Sequence, residues 1–154
     1  MENIGMTFGI KKMAAVATAA LTFAAVASAA NAAAWSSQGY GTIMYQTNWV
    51  YWGTTIQPVG SIPATATISS LSWSISSSSS QPAYNAGKRY RLCHNTKSGT
   101  CVDTSSPSGS SSVFNGYAAN KPFQIGTFVS YSSTVSMTPT INVGTEQVIV
   151  NYNY

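Results

Sequence analysis

Charge is what this chain has least of. Lys and Arg together number 7 and Asp and Glu 3 among 154 residues, 6% of the chain. There is 1 His, and there are 2 Cys. These shortages exclude whole classes of chemistry. Nucleic-acid recognition needs a broad basic face, and the few cations here include three crowded on one strand edge, Lys88, Arg89 and Arg91. A zinc site needs more ligands than Cys93, Cys101 and His94. A Ser–His–Asp arrangement would have to draw on His94 and Asp103, and no G-x-S-x-G elbow presents a nucleophile. Paired carboxylates for glycoside hydrolysis would have to be Asp103 and Glu146, which read as a surface Asp and a turn Glu. No glycine-rich phosphate loop and no calcium loop is present. The expectation is a non-enzymatic protein with no cofactor and no metal.

Long apolar runs are also missing, with one short exception. Lys11 and Lys12 precede Met13–Ala27, a brief apolar stretch, and small residues follow through Ala33. This is the charged, apolar and small-residue order of a signal peptide, too short for a comfortable membrane span. We assign residues 1–33 to it, with cleavage after Ala29, Ala32 or Ala33, and residues 34–154 to one domain. A domain of about 120 residues buries roughly two-thirds of its unfolded surface. Export predicts a periplasmic or secreted protein of a Gram-negative bacterium, with no membrane span once the leader is removed.

What the chain does have is alternation. Residues 68–75 place Leu71, Trp73 and Ile75 against Ser70, Ser72 and Ser74. Residues 123–131 put Phe123, Ile125, Thr127, Val129 and Tyr131 on one face. Val135–Val143 alternates cleanly, and Pro139 makes it an edge strand or a bulged one, a candidate for self-association. Gly144-Thr145 reads as a turn into a last strand, Glu146–Tyr152. Ser76–Ser80, with Gln81, Pro82 and Asn85, reads as a flexible connection, and no segment has a useful helical period. About seven short strands separated by turns predict an all-β, antiparallel sandwich-like fold.

The centre of this pattern is the hairpin around Lys88–Thr104. Arg89, Arg91 and Cys93 alternate with Tyr90, Leu92 and His94; Asn95–Gly99 supplies turn residues; Thr100–Thr104 returns. If Cys93 faces Cys101 across the stem, a disulfide closes without backbone movement. The alternative is two separate buried thiols. Arg89 and Arg91 form a candidate basic contact strand. Trp49, Tyr51 and Trp52 form an aromatic block that reads first as core, and otherwise as a platform for a sugar ring or a peptide.

Several of these segments together resemble a known family. R-Y-R-L-C at 89–93, C-V-D at 101–103, S-G-S-S-S-V-F-N-G-Y-A-A-N-K-P-F at 108–123 and E-Q-V-I-V-N-Y at 146–152 are similar to the flagellar protein FlhE family. Ala34-Trp35 and the stretch Gly39–Tyr45 fit its start. The resemblance implies a small exported protein, encoded with flagellar export-gate components. Its implied role is to guard against proton leakage through the export apparatus or to act as a periplasmic chaperone. The implied partners are proteins, with export or rod components as candidates. Two other classes remain beside it: an extracellular structural or adhesive subunit, and a carbohydrate-binding module.

Overall fold

A computed structural model describes residues 31–154. The signal-peptide assignment therefore lies almost wholly outside the described residues. Their strands are β1 (Ala32–Tyr40), β2 (Ile43–Gln46), β3 (Tyr51–Trp52), β4 (Thr67–Ser77), β5 (Lys88–His94), β6 (Thr100–Thr104), β7 (Ser108–Ser111), β8 (Phe123–Val129) and β9 (Ser136–Asn153). One short helix, α1 (Pro82–Gly87), joins β4 to β5. Every pairing is antiparallel. One sheet has the order β1-β9-β4-β7, with β2 also on β9; the other has the order β3-β8-β5-β6. The all-β two-sheet expectation holds, with more strands than the pattern announced.

Period-2 alternation explains the core. Phe123, Ile125 and Val129 of β8 and Tyr90 and Leu92 of β5 point from one sheet. Leu71 and Ile75 of β4 and Val148 and Val150 of β9 point from the other. Side chains of alternate residues leave a strand on opposite faces, so each sheet contributes one apolar face to the shared interior. Trp35 closes one end, its indole N–H donating to the Ala119 carbonyl at 2.9 Å.

At β9 one expectation fails and another takes its second, bulged form. The expected turn at Gly144-Thr145 is absent, and β9 runs through as one strand of 18 residues. The buried positions do change phase there, from Met137, Ile141 and Val143 to Glu146, Val148 and Val150. The cause is a bulge: Ile75 faces Glu146 while Ser77 faces Val143, so β9 carries one residue more than β4. Ser76 fills the irregularity, its Oγ accepting the Thr145 N–H at 2.8 Å. A Cβ on Gly144 would come within 2.7 Å of that oxygen, which is why a glycine stands here.

The first half of β9 is not a free edge but a bulged strand, its register against β2 breaking between Ile141 and Ser136, around Pro139. β2 pairs with it on one side. On the other, the Ser78 N–H donates to the Asn142 carbonyl at 2.8 Å, and Ser78 Oγ accepts the Asn142 N–H at 2.9 Å. Ser80 Oγ donates to the Pro139 carbonyl at 2.9 Å, and Gln81 Nε2 to the Thr138 carbonyl at 2.6 Å. The serine run expected to be a flexible connection is thus an edge cover. Small hydroxyl side chains suit it, because each can serve a backbone group that a ladder would otherwise satisfy. Pro82 starts α1, and Asn85 grips Ser80 through both its amide atoms, so the expectation of no helix is corrected by one short turn of it.

Candidate functional site: the outer face of the four-stranded sheet

Cys93 stands directly opposite Cys101, with their Cα atoms 4.1 Å apart and their sulfurs bonded. A close pair of this kind is a non-hydrogen-bonded one, where side chains lie nearest. The alternative of two separate thiols is removed. Around the disulfide, residues alternate as the sequence implied. Tyr90, Leu92 and His94 turn into the core; Arg89 and Arg91 turn outward, and Cys93 shares their side of the strand but is itself buried, with Cys101 the exposed half of the disulfide.

Arg91 organises the outer face. Its Nε and Nη2 donate to Asp103 Oδ1 and Oδ2, each at 2.7 Å. Its guanidinium also lies 5.4 Å from the centre of the Phe128 ring. These hydrogen bonds hold the Asp103 carboxyl below its ordinary range and raise the guanidinium. An exposed pair of this sort is worth about 0.5 kcal/mol, so its main effect is to fix the arginine in place. The cross-strand row reads Trp52, Gly126, Arg91, Asp103. Gly126 has no side chain because Trp52 and Val50 cover it: a Cβ there would lie 2.6 Å from Val50 Cγ1 and 3.0 Å from the Trp52 ring. The result is a shallow cleft of about 460 Å³ lined by Trp52, Arg91, Lys97, Cys101, Val102 and Asp103.

The two candidate groups meet only in part. Trp52 and Arg91 line the same cleft. Tyr51, one residue away, turns to the other face; its hydroxyl accepts the Gln46 N–H at 3.0 Å and its ring packs edge-on against Tyr45. Trp49 is 60% exposed in the connection before β3, so the reading of this block as core is corrected there, whereas Tyr51 does pack against the core. A strand cannot present adjacent residues on one face, which splits Tyr51 from Trp52. Arg89 turns back to the Ala86 and Lys88 carbonyls. Sequence reasoning missed Phe128, Gly126 and Lys97; a glycine inside an alternating strand was the available signal.

The groups considered for catalysis are kept apart. His94 points inward, its Nε2–H donating to the Ala118 carbonyl at 2.8 Å among Phe114, Tyr117 and Phe123. Asp103 faces outward, bound to Arg91. Glu146 is not a turn residue. It is fully buried on β9, between Gly39 of β1 and Ile75 of β4. Its carboxyl rests against Gly53, where any Cβ would overlap it. Neither carboxyl oxygen has a hydrogen-bond partner, and burial pushes its pKa up to about 8. No described helix is long and apolar enough to cross a membrane.

Comparison with known proteins gives this scaffold relatives. No curated protein matches the chain. Among solved structures it is similar to one described as the crystal structure of FlhE. That match has a TM-score of 0.68 and 23% identity, and it covers 80% of this chain and 99% of the other. At that identity the likeness establishes the fold. The family model described as flagellar protein FlhE matches residues 41–153, from just after β1 through the end of β9. The chain therefore belongs to the FlhE family of flagellar proteins.

Proposed function

We propose that this protein is an exported, periplasmic accessory factor of the flagellar export system that acts by binding rather than by catalysis. Family membership over residues 41–153 carries the reading and supports a flagellar accessory role. Its finer forms are a guard against proton leakage through the export apparatus and a chaperone for flagellar parts. Three features of the molecule support binding over chemistry. His94 and Asp103 face opposite sides of their sheet, Glu146 is sealed in the core, and the outer face offers an aromatic and basic cleft.

A deletion strain tests the role. The expected result is impaired swarming or a periplasmic pH displaced from the parent's, restored by the gene supplied in trans. A strain without the gene that swims, swarms and holds its periplasmic pH as the parent does would overturn the proposal. Capture with a tagged mature domain then separates the two forms: export-gate proteins favour the guard, and rod or hook proteins favour the chaperone.

A further inference from the structure

Beyond the family role, one edge of the molecule is built to be extended. β6 ends the four-stranded sheet and pairs with β5 alone. Because Cys93 and Cys101 are a close, non-hydrogen-bonded pair, the ladder to β5 is made by the residues between and beside such positions. The N–H and C=O groups of Cys101 and Asp103 therefore face away from the sheet. Among the described residues, no hydrogen bond from outside the ladder reaches them.

The other edges differ. The first half of β9 is covered by Ser78, Ser80 and Gln81. β3 has 2 residues and β7 has 4, too short to template much pairing. β1 carries no charge and takes no part in the cleft beside Trp52 and Arg91. β6 alone among them is stapled to its neighbour by a disulfide, which removes most of the ordering cost of presenting it to a partner. It also borders the cleft under Trp52, Arg91 and Lys97.

Charge says what kind of segment fits. The described residues include two side-chain carboxylates. Asp103 is neutralised by Arg91, and Glu146 is buried. Lys88, Arg89, Lys97 and Lys121 have no carboxylate partner among the described residues. Lys97 stands on the hairpin tip, which its own backbone N–H ties to Gln124 Oε1 at 3.0 Å. With Arg91 and Asp103 cancelling each other, Lys97 is the cation left without a counter-charge beside this edge.

We propose that the free edge of β6, with the cleft beside Trp52, Arg91 and Lys97, binds an extended acidic segment of a partner protein as an added strand. Main-chain hydrogen bonds to Cys101 and Asp103 hold the segment. An acidic side chain faces Lys97 at the hairpin tip, and its alternate residues set specificity. The inference rests on the reading of this chain as a binding protein. Its test uses purified components, so failure here leaves the strain test of the flagellar role standing.

The probe is a capped peptide of about eight alternating Glu and Val residues. A Lys-for-Glu counterpart is the control. Each is titrated into the oxidised, processed protein and followed by amide and indole NMR. Shifts centred on the Cys101 and Asp103 amides and the Trp52 indole are expected, weakened by salt and absent with the Lys peptide. Lys97→Glu weakens binding about tenfold while leaving the spectrum of the free protein folded. Trp52→Ala provides a second variant should Lys97→Glu disturb the hairpin. Equal binding of both peptides, shifts centred on β1 or β7, or no shifts at millimolar peptide would each overturn the proposal.

Discussion

Raising the pH destabilises this protein through one side chain, Glu146. Its carboxyl is fully buried, without a hydrogen-bond partner, and its pKa stands near 8 in the folded state against an ordinary value of 4.5. No cation offsets the burial, which is the sole cause of the shift. Between those two values the folded state keeps a proton that the unfolded chain has released, so stability falls as pH rises. The slope is about 1.4 kcal/mol per pH unit. From pH 4.5 to pH 7 the loss is about 3 kcal/mol, and it levels off near 5 kcal/mol above the folded-state pKa. That is a large part of the stability of a domain this size. Asp103 works at the other end. Its carboxyl is held low by Arg91, so its contribution disappears only as pH falls through the acidic range.

Urea unfolding followed by tryptophan fluorescence at a series of pH values measures the slope. Glu146→Gln removes the titration but leaves a buried amide, at a constant cost of about 1–3 kcal/mol. The variant is therefore less stable than the parent at low pH and more stable at high pH, and the two curves cross. Glu146→Met, without the unpaired amide, lies above Glu146→Gln throughout. Parallel curves for parent and Glu146→Gln between about pH 5 and 8 would refute the reasoning.

Three further outcomes follow from the same geometry. Replacing Cys93 and Cys101 together by Ala removes a short closed loop and costs about 2–3 kcal/mol; the same loss appears when the parent is unfolded in reductant, and unfolding indifferent to reductant would contradict it. Gly53→Ala places a methyl against the Glu146 carboxyl and costs about 1–3 kcal/mol. In a double-mutant cycle, Glu146→Ala relieves more than about 0.5 kcal/mol of that cost, whereas strict additivity would place the strain elsewhere. The mature N-terminus, read by mass spectrometry, is Ala30. Cleavage after Ala29 keeps Asn31, bonded in both directions to Tyr154, and the first rungs of β1; cleavage after Ala33 would delete the pairs Ala32–Asn153 and Ala33–Tyr152.

Local rules carried much of this molecule. Alternation at 68–75 and 123–129 predicted both the strands and their buried faces, because a strand's side-chain period is a property of its own backbone. The Cys93–Cys101 stem was legible because turn residues at 95–99 fix which residues oppose each other in a hairpin. The family was legible in the quoted segments between Ala34 and Tyr152. Other features required partners distant in sequence. The phase change at Gly144-Thr145 was visible, but a bulge and a turn produce the same local pattern. Only pairing with Ser76, far upstream, made it a bulge. Whether 135–143 was an edge depended on Ser78, Ser80 and Gln81 arriving to cover it. Trp49, Tyr51 and Trp52 looked alike until β8 supplied Gly126 for Trp52 to lie on and left Trp49 in solvent. Glu146 is the clearest case. A glutamate two residues after a glycine reads as surface, and its burial was decided when Gly53, just after β3, left room for a carboxyl in the core. Sequence alone determined the period, the staple and the lineage of this protein. Tertiary contact decided which faces are wet, because exposure depends on what packs against a residue and not on the residue itself.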